Sequence, residues 1–344
     1  MNKFFIGLDF SKLTVDASIV RKENPEEVIA YERFKNSTAG AKKLLKWAST
    51  ATNVDILSEV IFCGEKTGTY SRLYADFMSD TGHFIWLQHA MHIKNGMGDV
   101  RGKDDKTDSR RIAAYAARFE DKAVRYVRSA DRMRLLKNLL TNRQLLMNAL
   151  KAIAVNRREN PLALQDPTIA EDACREYEKI EQGIRDGIQE LNRLIKEAIM
   201  AVEEYRQTFS LLTSMKGVAL LNAAALIVFT DNFRNFDFNY RKMATYWGVV
   251  PFKNESGTSV RFGTHVSPKC NSWLKALITE AALSATKHDA YLKAYYERLI
   301  KRGKPKGIAL NNAKNKMIKI LVALVRDNKP YDANFHINKA ASAA

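Results

Sequence analysis

Apolar positions recur along this chain with different periods in successive stretches. Near the start they form short β-prone runs: Lys3 to Leu8, closed by Asp9, then Leu13 to Val20, alternating in places, and Val28 to Phe34. Short connections between adjacent runs predict an antiparallel hairpin or meander. A helix follows over Thr38 to Ala48, with Ser37 as its N-cap. Val60 to Cys63 reads as a buried strand leading to Glu65, Tyr70 to Met78 as a helix stopping near Gly82, and Phe84 to Leu87 as a strand. Asp105 to Phe119 reads as a helix and Val124 to Val127 as a last strand. The order βββαβαβα over residues 1–128 predicts an α/β layer fold, and it resembles that of RNase H-type domains.

The period then becomes helical. Met133, Leu136, Leu140, Met147 and Leu150 mark a basic helix over 130–158, which Pro161 and Pro167 bound. Tyr177, Ile180, Ile184, Ile188, Leu191, Ile195 and Val202 mark a second helix from about Ile169 to Val202. Spacings of three and four over many turns predict a long helical hairpin or coiled coil over 129–205, packed on its own domain or on another subunit. Residues 206–330 read as a mainly α domain. It holds an apolar helix from Val218 to Phe229, a polar loop or hairpin from Phe252 to Pro268, and helices over Trp273 to Thr286 and Leu310 to Arg326. Lys301 to Gly307 forms an exposed basic loop, and residues 331–344 form a tail expected to lack fixed structure.

Length and composition fit this division. The chain has 344 residues, 46% hydrophobic and 27% charged, so each part is large enough to bury a core. Three widely spaced cysteines, Cys63, Cys174 and Cys270, argue against a disulfide framework or zinc ribbon. No stretch has the ~20 apolar residues of a bilayer span and no signal peptide opens the chain, so no membrane partner and a reducing cytoplasmic setting are expected. Net charge is +17 and unevenly spread. Residues 241–330 hold 18 basic and 5 acidic side chains, whereas residues 129–240 hold 15 of each. A field so local points to a polyanion, and nucleic acid is the natural one.

Within the first part, Asp9 and Glu65 each end a buried strand, where an acid is expensive unless paired or bound to a cation. Asp105 and Asp108, three apart at a helix start, project from one face. A sheet that sets Asp9 beside Glu65 with that helix across its mouth clusters four carboxylates. They repel one another unless a divalent metal neutralises them, and Mg2+ suits oxygen ligands and phosphate chemistry. Taken singly, each acid has an ordinary reading; Asp108, for instance, sits where a helix dipole favours an acid. His89-x-x-His92 has metal-like spacing, but neither a cysteine nor a third histidine lies near it, and no zinc site is expected there. In the last part, Ser256 precedes Gly257, with Lys253 and Arg261 nearby. A hydroxyl there attacks phosphate only if its proton is removed and the charge is neutralised; taken alone, Ser-Gly is equally a surface turn.

These blocks together carry a resemblance. Gly7-Leu8-Asp9, Glu65-Lys66-Thr67-Gly68-Thr69-Tyr70 and Lys103-Asp104-Asp105-Lys106-Thr107-Asp108-Ser109 resemble the DEDD blocks of insertion-sequence-110-family transposases. Tyr246 to Pro251, Glu255-Ser256-Gly257, Arg261-Phe262-Gly263 and Tyr295-Tyr296-Glu297-Arg298 with Gly303-Lys304-Pro305-Lys306 resemble the family's C-terminal signature. The resemblance implies a RuvC-like N-terminal domain and a C-terminal transposase domain. It implies Asp9, Glu65, Asp105 and Asp108 as the Mg2+-binding tetrad, and Ser256 as a nucleophile that forms phosphoserine with DNA in a composite site. It further implies donor and target DNA, a structured bridge RNA that pairs with both, and a homodimer assembling to a tetramer in contact with the nucleoid. Lys253, Arg261, Lys269, Lys301, Arg302, Lys304 and Lys306 are the expected nucleic-acid contacts. Lys66, Lys216, Ala219 and Cys270 depart from the family pattern without touching the tetrad or Ser256. The alternatives are a junction resolvase or nuclease using carboxylates and water alone, and a nucleic-acid binder without catalysis.

Overall fold

A computed structural model describes residues 4–97, 105–256, 260–266 and 270–335. Its contacts divide the chain into two compact units, residues 1–129 and 130–344.

The first unit is built on a five-stranded sheet. Strands β1 (Phe4–Phe10), β2 (Thr14–Arg21) and β3 (Val28–Lys35) form an antiparallel meander, and helix α1 (Thr38–Thr52) follows. Ser37 caps α1, its Oγ accepting from Gly40 N at 3.1 Å as predicted, and Asn53 closes it in the left-handed region. Then come β4 (Val60–Glu65), α2 (Thr69–Asp80), β5 (Ile85–Gln88), α3 (Ala90–Met97) and α4 (Asp105–Arg118). The sheet order is β3-β2-β1-β4-β5, with β1, β4 and β5 parallel. This mixed sheet is compatible with the RNase H-like layer expected from the strand order.

Central strand β1 is covered on both faces. Ile6, Leu8 and Phe10 pack with Leu44, Tyr74 and Met78 of α1 and α2, while Phe5, Ile61, Cys63 and Trp86 pack with Ile112 and Ala116 of α4. Helix α4 approaches so closely because Gly7 has no side chain: a Cβ there would lie 2.1 Å from Ser109 O and 2.3 Å from Ala113 N. Ser18 and Ser109 share a buried hydrogen bond of 2.8 Å that pins α4 to β2.

The predicted strand at Val124–Val127 is absent. Only Tyr126 makes a sheet-like backbone bond, donating N–H to Ile85 O at 2.7 Å and O–H to Asp76 at 2.8 Å, while Val124 and Val127 are more than 70% exposed. The apolar run lacks a second covered face, so a ladder never extends beyond one rung.

The second unit opens with α5 (Asp131–Glu159) and α6 (Pro167–Met200). They pair antiparallel: Arg143 Nε donates to Asn192 at 2.7 Å, and toward the other end Asn160 donates to Tyr177 OH at 2.7 Å. Helix α6 begins at Pro167, two residues earlier than predicted, because proline suits the first helical position and Asp166 caps the turn by accepting from Thr168 N at 2.8 Å. Helices α7 (Glu203–Thr213), α8 (Leu220–Phe229) and α9 (Tyr240–Tyr246) follow, then the hairpin β6 (Pro251–Ser256) and β7 (Val260–Val266). Helices α10 (Ser272–His288), α11 (Ala290–Lys301) and α12 (Lys306–Arg326) complete the unit. Leu212, Met215, Leu226, Trp247, Leu274, Ile278 and Met317 are among the buried residues of their core. Gly217, at φ +95°, lets the turn between α7 and α8 meet α10; a Cβ there would lie 2.5 Å from Ala281 O. No described helix is long and apolar enough to cross a membrane. The expectation for the tail falls largely on residues 336–344, outside the described residues.

Candidate active site

Strand register builds one polar row across the first unit's sheet. Arg33 pairs with Asp16 across β3 and β2, and Asp16 with Asp9 across β2 and β1. In the parallel pair of β1 and β4, Leu8 stands opposite Gly64, so the next step in register brings Asp9 beside Glu65, and Glu65 in turn pairs with Gln88. Alternation puts this row on the same sheet face as Phe5, Ile61 and Cys63, the face covered by α4.

The row is electrostatically crowded. Glu65 is partly buried; burial first, and then the charge of Asp108, push its carboxyl above the usual carboxylate range, with His89 opposing. Asp108 is itself held by Arg111, whose Nη1 donates to Oδ1 at 3.0 Å. At the far end Asp16 is fully buried. It accepts from Tyr31 OH at 2.5 Å and from Arg33 Nε at 2.9 Å. Asp16 was not singled out in the sequence, although an acid between Val15 and Ala17 carries the signal that marks Asp9.

Asp9, Glu65 and Asp108 thus come to one end of one sheet face. Asp105 starts α4, but its side chain lies outside the described residues, as does Asp104. No group of three or more His, Cys, Asp or Glu arranged to hold a metal occurs among the described residues. The donors present nevertheless fit a hard divalent cation by chemistry: they are carboxylate oxygens, and burial and then the charge of Asp108 hold the Glu65 carboxyl above the usual range. Gln88 ends the row without charge, its Nε2 donating to Tyr115 OH at 3.1 Å. His89 and His92 lie with ring centroids 6.2 Å apart.

In the second unit, Ser256 is the last residue of β6 and stands opposite Val260, with Glu255 opposite Arg261. A register shift falls between Lys253 and Glu255. The side chains of Lys253, Ser256 and Arg261, and the whole of Lys269, lie outside the described residues. The strand before Ser256 is firmly rooted. Gly248, at φ +64°, turns the chain against Cys270, and Val249 accepts from Asn311 Nδ2 of α12 at 2.8 Å. Lys301, Arg302, Lys304 and Lys306 cluster at the turn from α11 to α12, all exposed, with Gly303 at φ +80° making the turn.

Residues 6–163 match the DEDD transposases of IS110 type, and residues 209–297 match the transposase IS116/IS110/IS902 family. Pilin gene-inverting proteins of Moraxella bovis and Moraxella lacunata are each 24% identical over 342 residues, 98% of this chain and their full length. A 43.6 kDa protein of insertion element IS110 from Streptomyces coelicolor is 31% identical over 146 residues, 42% of this chain and 36% of its own. DEDD transposases depend on divalent metal, in keeping with the carboxylate row. The two family matches tile one chain in order, and full-length relatives recombine DNA by name: this protein belongs to the IS110 family of transposases and is a DNA transposase and recombinase.

Proposed function

We propose that this enzyme cuts and rejoins DNA through a phosphoserine at Ser256, with Asp9, Glu65, Asp105 and Asp108 holding Mg2+. The observation that carries the reading is the polar row: a sequence of the IS110 family carries Asp9 in register toward Glu65, and Glu65 lies under the charge of Asp108. The Ser256 hydroxyl attacks a DNA phosphorus. Its Oγ–P bond forms as the bond to one deoxyribose oxygen breaks, the serine proton passes to a base, and the departing oxygen takes up a proton. Rejoining runs the same exchange backwards with a different strand end, so no hydrolysis is needed. A divalent cation supplies charge neutralisation at the phosphate oxygens. Asp9, Glu65 and Asp105 present ligand oxygens; Arg111 orients Asp108 through its 3.0 Å bond.

Specificity comes from a bridge RNA pairing with donor and target DNA, and Lys253, Arg261, Lys269, Lys301, Arg302, Lys304 and Lys306 hold the nucleic-acid backbones. The α5–α6 pair acts as a coiled coil joining copies into a homodimer and then a tetramer; Leu145, Leu162, Ile169 and Ile180, exposed along it, support this. The enzyme works in the bacterial cytoplasm, at the nucleoid.

The test is to purify the protein with its co-purifying RNA, sequence that RNA, and trap protein–DNA adducts on the DNA it pairs with. One dominant RNA mapping beside the gene, and an adduct absent in Ser256→Ala, are expected. Hydrolysed ends with no adduct would favour a carboxylate-and-water nuclease. The pilin gene-inverting relatives favour a second substrate geometry: inversion between two sites in one molecule. A plasmid carrying two oppositely oriented sites distinguishes inversion from insertion.

A further inference from the structure

The second unit buries a lysine that has no counter-ion among the described residues. Lys314 of α12 is 7% exposed, in the core-facing run that includes Ala313 and Met317. Its Nζ makes one hydrogen bond, long at 3.4 Å, to Thr279 Oγ1 of α10. The charged group nearest in effect is another cation, Lys275, one helical turn before Thr279. Burial first, and then that charge, push the Lys314 ammonium below the usual lysine range. No carboxylate pairs with either lysine among the described residues.

A buried ammonium is ordinarily paired, because desolvating it alone is unfavourable by several kcal/mol. Lysine is also the wrong residue for filling space in a helical core, where methionine has similar reach without charge. The place matters as well. Asn311, one turn before Lys314, holds Val249 O, and Lys275 Cδ is 3.6 Å from where a Cβ on Gly248 would stand. Both lysine-bearing helices therefore lie against Gly248 and Val249, just ahead of β6, the strand ending at Ser256. They do so within the stretch whose basic excess is largest.

We infer that Lys275 and Lys314 form a phosphate-binding pair, seating one backbone phosphate of the DNA on which the Ser256 hairpin acts. The inference rests on the Ser256 reading for its substrate, not for its geometry. Two ammonium groups from adjacent helices converge on one anion, the arrangement that neutralises a phosphodiester and offsets their mutual repulsion. In the free protein the pair is frustrated; in the complex it is satisfied.

The test uses the full chain, with Lys314→Met and Lys275→Met beside Lys287→Met, at an exposed position given no nucleic-acid contact, as the control. Three quantities are measured: the thermal midpoint in chloride, the midpoint in inorganic phosphate at equal ionic strength, and affinity for mixed-sequence duplex DNA across a salt series. Lys314→Met is expected to melt no lower than the wild type in chloride. It should lose the rise of about 2–4 °C that phosphate gives the wild type. It should also lower the slope of log affinity against log salt by about 0.9, one phosphate contact, and the double variant should lose no more than one contact. Lys275→Met, at a half-buried position, repeats the DNA measurement if Lys314→Met folds poorly.

A lower midpoint for Lys314→Met with an unchanged slope for both variants would make the pair structural and overturn the inference. A response to inorganic phosphate but not to DNA would make it a free-anion site and overturn the DNA assignment. The Ser256 reading fails separately. If Ser256→Ala still forms adducts while the lysine variants lose slope, only the nucleophile is wrong; if Ser256→Ala abolishes adducts and the slopes stand, only the pair is wrong.

Discussion

The two units treat buried charge in opposite ways. In the first, Asp16 is buried in the polar row with its partners built in: Tyr31 and Arg33 both donate to Oδ1. In the second, Lys314 is buried with one long bond to a hydroxyl and a like charge for a neighbour. A buried charge with protein partners is part of the scaffold, because removing either partner strands the other. The phosphate contact proposed for Lys314 would supply the anion that no described carboxylate provides. Glu65 lies between the cases. Its lifted carboxyl mirrors Lys314: burial first, and then a like charge, disfavours the ionised form.

The largest expected effect separates function from scaffold within the row. Asp9→Asn should cut strand transfer on the order of 10³-fold or more, as loss of a group acting in concert with others does. The thermal midpoint should hold or rise, since one of several crowded negative charges is gone. A midpoint that falls while strand transfer persists would return Asp9 to the scaffold and break the comparison.

Next in size is Gly7→Ala. The added carbon meets backbone atoms of Ser109 and Ala113, which no side-chain rotation can clear. Helix α4 must shift away from β1, at about 3 kcal/mol, the upper part of the usual overpacking range. Because α4 carries Asp105 and Asp108, strand transfer should fall as well, even below the melting transition. Urea unfolding of the full chain together with an activity assay at 25 °C checks both halves.

Arg33→Leu sharpens the contrast on the scaffold side. It leaves Asp16 buried with only the Tyr31 hydroxyl. The guanidinium is half-exposed, so screening reduces the loss to about 1–2 kcal/mol. The matching change at Lys314 should move stability the other way, and the pair of melting curves is the direct comparison.

Much of this was legible in the chain. Short β-prone runs closed by Asp9 and Glu65 located the sheet and two of its acids, and the 3–4 spacing of Ile180, Ile184, Ile188 and Ile195 located α6. The misses have physical causes. Val124–Val127 has strand composition, but burial on the sheet, which composition does not report, allowed only Tyr126 to pair. Pro167 was read as a breaker when it begins a helix, since the same ring forbids a helix interior and suits its first turn. Lys314 was invisible for a different reason. In sequence it is one basic residue among 18 in its stretch, and only the packing of α12 on α10 separates a buried ammonium from a solvated one.

The smallest expected effect is a pH dependence confined to the first unit's scaffold. His83 is buried after α2, its Nδ1 2.9 Å from Thr81 Oγ1 and its ring edge-on to Phe62. Burial first, and then Arg125, hold its pKa below the ordinary value of about 6.5, with Asp55 opposing weakly. The folded chain therefore binds fewer protons here than the unfolded chain as pH falls through that ordinary value. Stability from this site is full above it and declines below it, until the folded imidazole is protonated too. His83→Gln keeps a polar side chain without the titration, so its midpoint should be lower than the wild type at pH 8 and converge with it toward pH 5. Parallel curves across that range would mean that the ring is kept for its contact with Phe62 alone, and that its charge, unlike those of Asp16 and Lys314, plays no part in either unit's balance.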